Sequence, residues 1–217
     1  EVAVKAVEFL IRNSERHELE IDFFGGEPLL NFETVRRAVS YGRELERSSG
    51  KKLHFTVTTN GTLLNDEIIE YLNENIDNVV ISIDGRQEVH DAIRYFANGK
   101  GSYERILPLT RKLVEGRGSK EYYIRGTYTA NNLDFTNDVM HLADLGFREI
   151  SIEPAVGQIG AAAITREHLP RILEEYETLA RKYLERLAAG KPFRFYHFNL
   201  NLYGGPCIYK RITACGA

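Results

Sequence analysis

The residues of this chain best suited to chemistry fall in five short clusters. Gly25-Gly26-Glu27 comes first, then Thr58-Thr59-Asn60-Gly61, then Ser82 with Asp84-Gly85. Arg125 with Thr127 and Glu153-Pro154-Ala155-Val156-Gly157 complete the series. Each residue type has a natural counterpart. Glu27 suits an ammonium group, whereas Ser82 with Arg94 or Arg125 suits a carboxylate. Asn60 and the backbone amides near Gly61 suit ribose hydroxyls, and the apolar Ala155 and Val156 suit the edge of a purine. Together these preferences describe an amino acid joined to a nucleoside. The paired glycines bring bare backbone within reach of a ligand, because no Cβ stands in the way. Taken alone, Gly-Gly-Glu fits better a tight turn whose carboxylate is merely solvated. Recurrence is what favours a ligand site.

The elements around these clusters explain why they should converge. Val2 to Asn13 carries Val4, Val7, Phe9, Leu10 and Ile11 on one helical face. Glu20 to Phe24 reads as a strand, and Asn31 can cap a helix over about 32–47. Leu53 to Thr58 is β-branched and aromatic, a second strand, and a helix follows from Asn65. Val79 to Ile83 is a third strand and opens into a polar excursion reaching Gly101. Ser102 then caps a helix to about Glu115. Tyr122 to Thr129 and Glu149 to Glu153 give two more strands, separated by a helix over 134–145. A long helix spans 166–189 and ends at Gly190. Phe193 to Asn199 alternates like a strand that belongs to a following region. Alternation of strand and helix implies parallel strands with helical crossovers, in a barrel or an open doubly wound sheet. In either, working residues collect at the carboxyl ends of the strands, where all five clusters lie. The chain opens on a helix, so one strand is expected upstream. Adding it gives six βα units, short of a closed eightfold barrel.

Bulk properties exclude several classes. The 217 residues are 43% hydrophobic and 27% charged, with a net charge of −3, which fits a soluble α/β protein. That balance gives no electrostatic case for nucleic acid or an anionic membrane. No apolar run reaches the roughly 20 residues needed to span a bilayer, and a cytoplasmic location is expected. The two cysteines, Cys207 and Cys215, build no disulfide framework. The histidines show no ligand spacing, and His90 reads as a loop residue or one that supports a site. Gly99-Lys100-Gly101-Ser102 lacks the strand and spacing of a phosphate loop.

Phe23-Phe24-Gly25-Gly26-Glu27-Pro28-Leu29-Leu30, Thr58-Thr59-Asn60-Gly61-Thr62-Leu63-Leu64 and Ile81-Ser82-Ile83-Asp84-Gly85 occur in this order, with His90-Asp91 and Arg94 after them. In this they resemble radical S-adenosylmethionine enzymes. The nearest branch is the SPASM/twitch group, which includes anaerobic sulfatase maturases. The tail Gly205-Pro206-Cys207-Ile208-Tyr209-Lys210-Arg211 with Cys215-Gly216-Ala217 resembles the start of the auxiliary-cluster region in thioether-forming (SCIFF-type) peptide maturases. The resemblance covers essentially the whole chain. It implies a partial (β/α)6 TIM-like barrel domain of parallel strands over 1–190, its first strand missing, and the start of a SPASM/twitch extension over 191–217.

The same resemblance assigns roles. Gly25, Gly26 and Glu27 would hold the methionine amino group of S-adenosylmethionine. Ser82 and an arginine would contact its carboxylate or ribose, with Arg94 favoured by the His-Asp-x-x-Arg match and Arg125 as the alternative. The strand end from Ala155 to Gly157 would pack on adenine, and Thr59, Asn60 and Asp84 complete the cofactor-binding set. Implied cofactors are S-adenosylmethionine and a 4Fe-4S cluster, and implied partners are a substrate peptide and a one-electron reductant such as flavodoxin or ferredoxin. The implied activity is reductive cleavage of S-adenosylmethionine and maturation of a ribosomal peptide by thioether formation. The family's Cys-x3-Cys-x2-Cys loop is absent, since no cysteine precedes Cys207. A chain beginning after that loop is the favoured explanation, and a non-catalytic peptide-binding module on a degenerate barrel is the alternative. An ordinary α/β-barrel lyase leaves the Gly-Gly-Glu and Thr-Asn-Gly combination unexplained. Cys207 and Cys215 resemble auxiliary-cluster ligands, and reduced, half-buried thiols fit them equally.

Overall fold

Alternating apolar strands and amphipathic helices dictate the architecture seen in the computed structural model, which describes residues 1–156 and 160–199. The elements run in order as α1 (Val2–Asn13), β1 (Glu18–Phe23), α2 (Phe32–Ser49), β2 (Lys52–Thr59), α3 (Asp66–Asn75) and β3 (Asn78–Ser82). Then come α4 (Gln87–Ile93), α5 (Tyr103–Glu115), β4 (Glu121–Tyr128), α6 (Phe135–Asp144), β5 (Glu149–Pro154), α7 (Leu169–Ala188) and β6 (Arg194–Phe195). The strands hydrogen-bond in sequence order, β1-β2-β3-β4-β5-β6. Pairing is parallel at β1/β2, β2/β3, β3/β4 and β5/β6. A doubly wound sheet reverses its strand order at a switch point, and this one does not. The sequential order is that of a partial TIM-like barrel. The chain divides into two compact units, Glu1–Ile83 with Gln87–Arg125, and Asp84–Arg86 with the residues from Gly126 onward.

In the first unit, strand burial alternates strictly. Along β2, Leu53, Phe55, Val57 and Thr59 are buried, while His54, Thr56 and Thr58 are half-buried on the other face. Helix α2 covers the buried face with Val35, Ala38, Val39 and Gly42. A Cβ on Gly42 would stand 2.7 Å from Phe55 Cζ and 2.8 Å from Leu53 Cδ1, so the glycine permits the close approach. Arg43 lies over the Phe55 ring and donates to the Leu53 carbonyl and Asp77. Strand β1 pairs on one side only among the described residues, and Glu18, Glu20 and Asp22 alternate along it as exposed carboxylates. In α1, Val7 alone is buried and Phe9 is exposed, so the apolar face read from the sequence is only partly covered.

In the second unit, Phe135 of α6 stacks on Tyr128 at 4.3 Å and meets Tyr176 of α7 edge-on at 5.0 Å. Glu175, also buried, accepts from the Thr136 amide at 3.0 Å and ties α7 to α6. The short β6 extends β5, so Arg194 and Phe195 join this sheet and the expected separate strand over 193–199 is corrected. Helix α4 lies within what the sequence presents as a polar excursion. Among the described residues no helix is long and apolar enough to cross a membrane.

Candidate functional site

Strand β1 ends at Phe23, and the chain turns through Gly25 and Gly26 with φ of +92° and +56°. These left-handed conformations favour glycine. A Cβ at either would meet nothing within 4 Å, so the loop backbone is open to a ligand. Glu27 follows, and its carboxylate fastens the loop to the end of β2. Oε1 accepts from the Leu29 amide at 3.1 Å and the Thr59 hydroxyl at 2.8 Å, while Oε2 accepts from the Asn60 amide at 2.7 Å. A carboxylate offers about four acceptor positions. Three are used by these bonds, and the fourth can receive an ammonium N–H. The Thr59 hydroxyl in turn accepts from the Gly61 amide at 3.1 Å, and Asn60 Oδ1 accepts from the amide and hydroxyl of Thr62. Glu27, Thr59 and Asn60 therefore form one hydrogen-bonded group across two strand ends.

Ser82 closes β3, half-buried, and stands in register with Arg125 of β4. Register partners on parallel strands project to the same face, so the hydroxyl and the guanidinium leave one side of the sheet together. Arg94 follows α4, and its amide donates to the His90 carbonyl at 2.8 Å. Glu27, Thr59, Asn60 and Ser82 all lie at the carboxyl ends of strands in the first unit, as the sequence led one to expect.

Asp84 and Ala155–Val156 belong to the second unit. Asp84 is fully buried, and its Oδ1 accepts from the amide and hydroxyl of Thr127 at 2.9 and 3.0 Å. Through these bonds Asp84 braces the end of β4. The Ala155 amide donates to the Tyr128 carbonyl at 2.8 Å, and Val156 is exposed, an apolar surface of the kind an adenine covers. Gly157 and the candidate cluster ligands Cys207 and Cys215 lie outside the described residues.

One feature escaped the sequence reading, and a second refines it. Asp138 on α6 is fully buried and receives the amide and Nε of Arg86 at 3.0 and 2.8 Å, while Asp134 pairs with the same guanidinium at 2.9 Å. The hydrogen bond from Asp138 raises the Arg86 pKa, and burial pushes Asp138 up. Burial also acts to raise Asp134, yet the Asn137 amide and Arg86 outweigh it and hold that carboxyl below its ordinary value. The only sequence signal was helical spacing, since Asp134 and Asp138 are four residues apart. His90, the second feature, is fully buried in α4 and contacts Ser102.

The donor set fits S-adenosylmethionine: a carboxylate with one open position, exposed glycine backbone, and a serine beside an arginine. It does not fit the iron–sulfur cluster. Such a cluster needs about four thiolates, and among the described residues no three His, Cys, Asp or Glu side chains come together.

Comparison with known proteins agrees with this geometry. The Radical SAM superfamily model matches residues 1–140. The chain belongs to the radical SAM superfamily, whose members use S-adenosylmethionine and a 4Fe-4S cluster. It is 30% identical over 188 residues to an uncharacterized protein of Methanocaldococcus jannaschii, covering 83% of this chain and 59% of that protein. It is 28% identical over 174 residues to a cysteine-type anaerobic sulfatase-maturating enzyme of Clostridium novyi, covering 78% of this chain and 45% of the enzyme. The solved structure of native anSMEcpe with bound AdoMet and Kp18Cys peptide superposes with a TM-score of 0.78 at 19% identity, over 91% of this chain and 55% of that one. At that identity the likeness shows a shared fold, the partial barrel. The chain thus spans about half the length of these relatives.

Proposed function

We propose that this chain is the S-adenosylmethionine-binding barrel of an enzyme that matures a ribosomally made peptide, ending in a thioether bond. The observation that carries the reading is the Glu27 group, whose open acceptor position lies beside the bare Gly25-Gly26 backbone at the end of β1. In this reading Glu27 receives the methionine ammonium, and Ser82 with Arg94 or Arg125 holds the methionine carboxylate. S-adenosylmethionine held by these residues would supply radical chemistry on the substrate once it is reduced by one electron. The residues of this chain bind, orient and exclude water. The relatives support a peptide as substrate: one is named a sulfatase-maturating enzyme, and the anSMEcpe structure holds a bound peptide. A one-electron reductant such as flavodoxin or ferredoxin completes the cycle.

The test is equilibrium binding of S-adenosylmethionine to the full-length protein, reconstituted without oxygen. Loss of a charge-assisted hydrogen bond should weaken Glu27→Ala about tenfold or more. Glu70→Ala, on the exposed face of α3, should bind as the parent does. Glu46 is an unsuitable control, because it pairs with Arg43 and accepts from the Leu53 amide. Equal affinities for Glu27→Ala and Glu70→Ala would overturn the assignment. Mass spectrometry of a co-expressed peptide tests the thioether, whose formation removes the mass of one hydrogen molecule.

A further inference from the structure

The loop from Arg94 to Ser102 is a small closed hairpin. Tyr95 and Gly101 form an antiparallel bridge, the Phe96 amide donates to the Lys100 carbonyl at 2.8 Å, and the Gly99 amide returns to the Phe96 carbonyl at 2.8 Å. Its base is fastened at the Arg94 carbonyl, which accepts from both the amide of Ser102 at 3.1 Å and its hydroxyl at 3.0 Å. His90 Nε2 stands 2.9 Å from the same hydroxyl oxygen. A serine hydroxyl has one proton, and here it is given to the Arg94 carbonyl. The contact with His90 then requires the imidazole to carry its proton on Nε2 and to donate. A relay of donors results: His90 Nε2–H to Ser102 Oγ, and Ser102 Oγ–H to the Arg94 carbonyl.

The relay is shut off from water, with His90 fully buried and Ser102 3% exposed. Its neighbours hold it rigid. The His90 ring meets Tyr103 edge-on at 5.7 Å. Asp91 Oδ1 accepts from the Tyr103 amide at 2.9 Å, fixing the start of α5. Gly101 packs on Asp91 so closely that a Cβ would lie 2.0 Å from its Cγ. The Ser102 amide and hydroxyl, with His90 behind the hydroxyl, all act on one backbone unit, that of Arg94.

We infer that His90 and Ser102 are positioning residues for Arg94, holding its backbone so that the guanidinium meets the carboxylate of S-adenosylmethionine. This inference rests on the reading of Arg94 given above. It also accounts for a His-Asp-x-x-Arg and Gly-Ser pairing that neither metal binding nor a phosphate loop explains.

The experiment is affinity for S-adenosylmethionine in the full-length reconstituted protein, with thermal unfolding measured alongside. Removing one buried hydrogen bond should weaken binding about fivefold in His90→Phe, which keeps the ring, and in Ser102→Ala. His90→Gln places an amide N–H near the Nε2 position and should restore affinity to within about twofold. In Arg94→Ala background, His90→Phe should cost nothing further, a non-additivity that a purely structural residue would not show. Should His90→Phe fail to fold, Ser102→Ala, which deletes only a hydroxyl, carries the same test. Parental affinity in His90→Phe and Ser102→Ala, with Arg94→Ala weakened, would overturn the positioning role alone. Parental affinity in Arg94→Ala would overturn the reading of Arg94, and the positioning role with it.

Discussion

Glu27 binds Thr59 and Asn60 through the same carboxylate that would grip a ligand, so its orientation is set by neighbours with no reactive role of their own. Thr59→Val keeps the shape of a side chain only 1% exposed and removes the donor to Oε1. Affinity for S-adenosylmethionine should fall about fivefold in a binding titration, the effect of one hydrogen bond, while β2 stays packed. Gly85 shows the opposite situation, where backbone decides. Its φ is +128°, and a Cβ there would lie 2.2 Å from Asp138 Cβ. Gly85→Ala should lose about 2–4 kcal/mol in chemical denaturation, from strain and overpacking together. At this scale residue types were legible and their surroundings were not. Asp84-Gly85 looks in the sequence like another polar strand end, and nothing in it reveals that Thr127 and Asp138 enclose these residues from afar.

Helices and strands are fixed here by contests that the numbers can settle. Alanine is favoured over glycine inside a helix by about 1 kcal/mol, which alone would make Gly42→Ala stabilising. Both Phe55 and Leu53 are fully buried and cannot withdraw from the added methyl. Overpacking of that kind costs about 1–3 kcal/mol, so Gly42→Ala should lower the denaturation midpoint. Arg117 decides a second contest. It is 3% exposed, and its guanidinium donates to the carbonyls of Leu72, Ile76, Asp77 and Glu121, joining the end of α3 to the starts of β3 and β4. Burial pushes its pKa down to about 10, still well above neutrality, so all these donors remain protonated. Arg117→Met should lose about 3 kcal/mol or more, because four carbonyls are left without that donor. The strands and long helices were legible because apolar periodicity persists over several turns. Helix α4 was missed because it has seven residues and buries only His90, too little for a period to emerge.

Across the molecule, burial is the largest influence on four tyrosines, Tyr71, Tyr103, Tyr128 and Tyr176, and raises each above the ordinary value of 10.0. The folded state therefore holds these phenol protons more tightly than the unfolded state does. Their contribution to stability is fully present below the unfolded value and declines as pH rises above about 10. Denaturant titrations at increasing alkaline pH should show the midpoint falling there, in step with the appearance of tyrosinate absorbance. The general architecture was legible because strand and helix alternate, with only α4 and α5 in succession, and sequential strand order then chose the barrel over the doubly wound sheet. That choice depends on pairings between distant segments, which no local pattern encodes. The one-sided pairing of β1 has a practical outcome for anyone handling this polypeptide. If these 217 residues are prepared on their own, bare peptide groups along that rim invite a second copy to zip on, and the negative charges of Glu18, Glu20 and Asp22 oppose it. Acidified solutions of those 217 residues alone should therefore turn cloudy through β-rich clumping, and Glu20→Val with Asp22→Val should bring on the same turbidity at neutral pH.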